Sequence, residues 1–272
     1  MTKWILPLLL LITADVCSQT DQRLKSLPPF VLGVVDTVQS KALNEKRRLN
    51  IYLPEGYSPD SAALYPVIYL LDGSADEDFI HVAGLVQFCN FPWIKTLPPS
   101  IVVGIANVDR KRDFTFPTTV KQHKIDAPSS GGSEKFISFL ENELQPHIQA
   151  HYKTNGTKML IGQSLGGLLA AEILLKKPDL FNQYLIVSPS TWWDNESLLR
   201  LTPKPSTQAT QIFVAVGKEG KVMENGSKKL VKILKAANMG QQQLNFKFLK
   251  NKNHATILHQ AVYDGFEVFG GK

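Results

Sequence analysis

Ser164 stands in the pentapeptide Gly162-Gln163-Ser164-Leu165-Gly166, after the apolar run Lys158-Met159-Leu160-Ile161 and before Gly167-Leu168-Leu169-Ala170. A serine hydroxyl is a weak nucleophile until it is held beside a base and close to N–H donors that can take up negative charge. A sharp strand-to-helix turn carrying Gly-x-Ser-x-Gly achieves that geometry, the nucleophile elbow. The glycines at 162 and 166 are expected to leave out Cβ atoms that would crowd the turn. The helix that follows brings unpaired N–H groups and a partial positive charge toward Ser164. The rival interpretation is an ordinary glycine-rich turn whose serine caps a helix. An apolar strand before the motif and an apolar helix after it favour the catalytic one.

A nucleophilic serine needs a base, and histidine has the pKa for the work. The chain holds six histidines. His147 and His151 are four apart on one expected helix but lack the His-Glu-x-x-His pattern of a zinc site, so they are expected to be exposed helix residues. His81, His123 and His259 have no supporting context. His254 lies in a loop between the last expected strand and the last helix, the edge of an open α/β sheet where ligand sites gather. The order for a hydrolase of this kind is serine, acid, histidine. Glu219, three residues past a strand at 211–216, is the first choice of acid, with Glu224 and Asp194 in reserve. The oxyanion hole needs two backbone N–H groups. Leu165, next after the nucleophile, gives one; the other is expected from Gly73 or Ser74, with Gly73 preferred.

These residues require a scaffold. β-Branched and apolar runs place strands at 33–38, 47–53, 66–71, 100–106, 183–187, 211–216 and 243–249, besides the strand that enters the elbow. Helical spacing predicts helices at 76–90, 133–152 (with Pro146 as a kink), 225–237 and 255–269, and one after the elbow that ends before Pro178. Residues 107–130 read as a loop. Strands alternate with helices from residue 66 onward, so the fold class is α/β, a mostly parallel central sheet with helices on both faces. The first two strands are expected to form an antiparallel edge.

Residues 1–18 read as a signal peptide: Lys3 is followed by an apolar stretch at 4–12, too short to span a bilayer, and cleavage is expected between Ser18 and Gln19. Lipidation at Cys17 is a weaker alternative. The mature chain, 19–272, is then a single exported domain, secreted or periplasmic, with Cys89 alone and no internal disulfide. Apolar residues make up 43% and charged residues 20%, the balance of a globular domain with a core. The net charge of +6 is scattered, with no basic helix, which argues against a nucleic-acid partner. Nothing implies a metal or an organic cofactor, or stable membrane insertion.

Further motifs tie these elements together: Tyr69-Leu70-Leu71-Asp72-Gly73, the segment 107–115 with Arg110 and Asp113, Gly162-Gln163-Ser164-Leu165-Gly166-Gly167, Ser188-Pro189-Ser190-Thr191-Trp192-Trp193, and His254. Over roughly residues 30–270 the chain resembles the esterase-D-like, or enterochelin-esterase-like, branch of the α/β-hydrolases. The resemblance implies Ser164 as nucleophile, His254 as base, and Gly73 with Leu165 at the oxyanion hole. It places Arg110 and Asp113 near the cleft, as structural or substrate-contacting groups. Some siderophore-hydrolysing members of the branch work with a Ser–His pair, which leaves the role of Glu219 open. Trp192 and Trp193 follow a strand end and are expected either to wall the cleft for an acyl or aryl group or to pack over the core. The expected activity is a serine esterase acting on a small-molecule or glycan ester: a siderophore ester, or an acetyl or feruloyl carbohydrate ester. An acyltransferase or a non-catalytic binder on the same fold are the alternatives.

Overall fold

A computed structural model describes residues 27–237 and 241–271. The expected signal peptide, its cleavage site and Cys17 lie outside these residues. Among the described residues no helix is long and apolar enough to cross a membrane. The chain divides into two units, Met1–Leu32 and Gly33–Lys272. Of the first, residues 27–32 carry no helix or strand. The second holds the sheet and the site.

Its eight strands are β1 (Val34–Ser40), β2 (Glu45–Tyr52), β3 (Tyr65–Leu70), β4 (Ile101–Ile105), β5 (Thr154–Gln163), β6 (Gln183–Val187), β7 (Thr210–Gly217) and β8 (Gln242–Leu249). They form one sheet in the order β1-β2-β4-β3-β5-β6-β7-β8. β1 pairs with β2, and β2 with β4, antiparallel; every later pairing is parallel. The main helices are α1 (Phe79–Cys89), α2 (133–151), α3 (Leu165–Lys176), α4 (Lys221–Ala237) and α5 (Leu258–Phe269).

Strand residues alternate between two apolar layers, as a pleated sheet covered on both faces requires. Tyr69, Leu160, Tyr184, Ile186 and Val214 join one core with Phe136 and Leu144 of α2, Leu168 of α3 and Leu230 of α4. On the other face Gly265 of α5 lies so close to Leu185 and Phe213 that a Cβ would stand 2.6 Å from a Leu185 methyl. Because β3 and β5 to β8 run parallel, their carboxyl ends share one edge. Residues 71–74, 164, 188–191, 217–219 and the loop to His254 all leave the sheet there, the edge at which such folds bind ligands.

The expected elements are present, with differences that have local causes. The loop at 107–130 contains two short helical segments, Arg110–Asp113 and Lys121–Asp126. α2 passes through a π-helical turn at Leu140–Leu144 just before Pro146, which absorbs the proline without a break. α5 begins at Leu258, not at 255, because the Asn253 side chain takes the N–H groups of Ala255 (3.0 Å) and Thr256 (3.2 Å) in a turn of its own. That turn keeps His254 in a loop. His147 is not a free helix residue: its Nε2 meets Asp36 at 2.8 Å, and Tyr152 donates to the same carboxylate at 3.1 Å, which ties α2 to β1.

Candidate active site

Ser164 sits between β5 and α3 at φ 59°, ψ −117°, a region that residues with a Cβ avoid. The strain is held by hydrogen bonds on both sides. The Ser164 N–H donates to Val187 O (3.0 Å), and its carbonyl accepts from Leu168 N (2.9 Å) and Ser190 N (3.0 Å). A Cβ on Gly162 would overlap the Gly166 carbonyl, and one on Gly167 would lie 2.8 Å from Val187 O. At Gly166 the nearest atom is 3.4 Å away, so the turn needs glycine at 162 and 167 more than at 166. The strained turn lifts the serine out of both neighbouring elements, the context its sequence predicts.

Across the sheet edge, His254 Nδ1 meets Glu219 Oε2 at 2.6 Å. Glu219 is 2% exposed in its side chain, and its Oε1 accepts from Ser188 Oγ (2.6 Å) and Gly217 N (3.0 Å). Burial pushes the Glu219 carboxyl up, but hydrogen bonds from His254, Ser188 and Gly217 outweigh it and hold the pKa below its ordinary value. The carboxylate is therefore charged at neutral pH. A charged partner on Nδ1 fixes the tautomer with the proton on that nitrogen and leaves Nε2 as the basic atom. The reserve acids are engaged elsewhere. Glu224 accepts from the N–H groups of Glu219 (3.2 Å) and Gly220 (3.1 Å). Asp194 accepts from Thr118 Oγ1 (3.0 Å) and Thr119 N (2.6 Å). Burial opposes the charge on Asp194, yet hydrogen bonds from Ser197, Thr119 and Thr118 hold it well below the usual carboxylate range.

Ser164, Glu219 and His254 line one cleft of about 670 Å³ with Ser190, Trp192 and Met223. Ser164 Oγ pairs with Ser190 Oγ at 3.3 Å. The cleft divides the two expected roles between the tryptophans. Trp192, 36% exposed, is a wall of the cleft, whereas Trp193 is buried and its indole N–H donates to Phe116 O at 2.9 Å. Asp194, Asn195 and Glu196 all take positive φ, a left-handed turn that directs the chain away directly after the pair.

The oxyanion expectation for Gly73 is also corrected. The Gly73 N–H donates to Ile105 O at 3.0 Å, extending the β3–β4 pairing beyond the strand end. Only glycine fits there, because a Cβ would collide with Gly104. Ser74, the other donor read from the sequence, is engaged as well: its N–H donates to Glu77 Oε2 at 3.2 Å. Arg110, expected as a structural or substrate-contacting group, is engaged by the chain itself. It forks onto Asp72, Nε to Oδ1 at 2.6 Å and Nη2 to Oδ2 at 2.9 Å, and reaches the Gln163 carbonyl at 3.4 Å. The pair braces the turn one residue before Ser164. Asp113 is structural: fully buried, it pairs with Arg47 and accepts from Arg112 Nε at 2.7 Å.

The same brace has a pH signature. Burial, with the carboxylates of Asp72 and Glu77 nearby, pushes Asp78 from an ordinary 3.8 up to about 6. A carboxyl whose folded pKa is raised contributes stability below its unfolded pKa and loses it as pH rises through the folded value. Asp78→Asn removes that loss. Its melting temperature is expected to match wild type near pH 4 and to exceed it by about 2–4 °C at pH 8, for roughly 1 kcal/mol after solvent screening. Thermal denaturation at the two pH values checks this.

Sequence reasoning assigned no role to Ser188, Ser190, Lys218, Met223 or Asn253. Ser188 and Ser190 were visible as a motif flanking a strand end; the loop residues gave no signal, since their place in the cleft depends on how three loops fold together.

Comparison with known proteins identifies the family and the fold. The chain matches the Esterase family over residues 40–267. It is 32% identical over 209 residues to the ferri-bacillibactin esterase BesA of Bacillus subtilis, an alignment covering 69% of this chain and 71% of BesA. Among solved structures, the BES protein from Bacillus cereus superposes with a TM-score of 0.78 at 28% identity, covering 89% of this chain and 96% of the other. The IroE-like serine hydrolase from Shewanella oneidensis superposes with a TM-score of 0.76 at 29% identity, covering 88% and 80%. An elbow serine at the carboxyl edge of an eight-stranded α/β-hydrolase sheet and these relatives lead to one assignment: the chain belongs to the Esterase family, in the enterochelin-esterase-like branch of the α/β-hydrolase superfamily.

Proposed function

We propose that the chain is an exported serine esterase that opens the ester bonds of a siderophore through an acyl-enzyme. The carrying observation is the Glu219–His254 pair, which lines one cleft with a strained elbow serine. The reaction requires Ser164 Oγ to turn from Ser190 toward His254 Nε2, which lines the same cleft. Oγ attacks the ester carbonyl as its proton passes to Nε2, and the Glu219 carboxylate stabilises the imidazolium. The negative charge on the carbonyl oxygen falls to the Leu165 N–H at the amino end of α3, where the helix adds its partial positive charge. The C–O bond then breaks and His254 returns its proton to the leaving alcohol. Water, deprotonated by the same nitrogen, releases the acid and restores the serine.

The siderophore assignment is supported by BesA, named for a ferri-siderophore substrate, and by a basic chain suited to an anionic iron complex. The wall formed by Trp192 and Met223 suits an aryl group in the acyl half. A feruloyl sugar carries such a group too, so the test compares them. Purified protein is given a catecholate tri-ester siderophore, with and without iron, beside feruloyl and acetyl sugar esters. Products are followed by liquid chromatography with mass detection. The expected result is a kcat/KM for the siderophore at least about tenfold above any sugar ester. The reverse order would move the protein to the carbohydrate esterases, and acyl transfer to an added sugar would make it a transferase. Export is tested by sequencing the mature amino terminus, expected at Gln19.

A further inference from the structure

β6 ends at Val187, and Ser188-Pro189-Ser190 follows between the two halves of the catalytic relay. The Ser188 side chain is buried, and its hydroxyl donates to Glu219 Oε1 at 2.6 Å. Its backbone N–H is fixed on Ala215 O at 2.8 Å, and its φ is +43°, a conformation that a residue with a Cβ adopts only under constraint. Two residues on, the Ser190 N–H holds the Ser164 carbonyl at 3.0 Å. One short turn thus grips the acid at one end and the nucleophile's backbone at the other. A turn that merely satisfied its own hydroxyl could use any nearby carbonyl in a relaxed conformation. This one is strained and aimed at a carboxylate, and strain of that kind concentrates at functional sites.

Glu219 Oε1 has two donors, Ser188 Oγ and Gly217 N. The terminal torsion of a glutamate is soft, so hydrogen bonds must set its rotation. We propose that Ser188 is a positioning residue for catalysis: its hydroxyl, held by the strained turn, fixes the rotation of the Glu219 carboxylate so that Oε2 meets His254 Nδ1. The proposal rests on the serine-esterase reading above and adds a fourth side chain to its relay.

Steady-state kinetics on p-nitrophenyl acetate with the full chain test it, using wild type, Ser188→Ala, Ser188→Gly, Glu219→Gln and the double variant Ser188→Ala/Glu219→Gln. Ser188→Ala is expected to lower kcat about 10- to 100-fold with KM unchanged, the range for a hydrogen bond to a charged group. Ser188→Gly should show the same loss, because glycine removes the hydroxyl while relieving the positive φ; it also keeps the test alive should the alanine variant fail to fold. In the Glu219→Gln background the same alanine change should alter kcat by less than about threefold, since it acts through the carboxylate. A kcat for Ser188→Ala and Ser188→Gly within about twofold of wild type, or a full loss persisting in the Glu219→Gln background, overturns the proposal. Failure of the underlying reading looks different: wild type itself would show neither turnover nor fluorophosphonate labelling of Ser164.

Discussion

Ser164→Ala is expected to hydrolyse p-nitrophenyl acetate about 10⁵- to 10⁶-fold more slowly than wild type, with the fold intact. In a serine relay the nucleophile and base act as a unit, and removing the serine alone removes nearly all that the unit contributes. What remains comes from substrate binding and the oxyanion donors, which are backbone groups and survive the change. Ser164 Oγ makes one hydrogen bond, to Ser190 at 3.3 Å, so its deletion leaves no strong bond broken. The melting temperature should therefore stay near that of wild type. Burst-phase release of p-nitrophenol gives a second measurement: a stoichiometric burst in wild type, none in the variant. A variant retaining more than about a hundredth of the wild-type kcat would exclude Ser164 as the nucleophile.

The second large effect belongs to Glu219. Replacing it by glutamine keeps the shape and removes the charge, so His254 loses both the stabiliser of its imidazolium and the acceptor that fixes its tautomer. The comparable change in a serine relay lowers kcat about 10⁴-fold. The environment sharpens the prediction. The buried Glu219 side chain is met by the Ser188 hydroxyl and the Gly217 N–H on one oxygen and by His254 on the other. In Glu219→Gln those first two donors select the carbonyl oxygen of the new amide. Its NH₂ then faces Nδ1, and His254 must turn its proton to Nε2, where a base cannot use it. A kcat within about tenfold of wild type would place this chain among esterases that work with a Ser–His pair and make Glu219 a structural acid.

The residues proposed to carry the chemistry were legible in the sequence because each sits at a strand end, and strand ends follow from hydrophobic runs. Ser164 came from its glycines and flanking elements, His254 from the last strand–helix junction, Glu219 from chain order. That the expected second oxyanion donor is engaged was not legible, since β3 goes on pairing past its apolar run: Gly73 makes a sheet bond to Ile105. Nor could spacing separate Trp192 from Trp193, adjacent in a turn whose course is set by the three left-handed residues after them. Ser188 escaped for a related reason. Its hydroxyl reaches Glu219 from a turn of positive φ, and hydrophobic patterning carries no record of that sign.

The division of labour along the sheet edge bears on how such an enzyme changes over generations. Ser164 and the turn at Ser188 are anchored to adjacent parallel strands, and Glu219 follows the next one, while Trp192 and Met223 lie farther along their connections. Substitutions in those connections reshape the wall without disturbing strand register. Substrate preference can therefore drift through a population by single changes that leave the reaction itself unaltered, and descendants of one ancestor could part company on the ester they open long before they differ in how they open it.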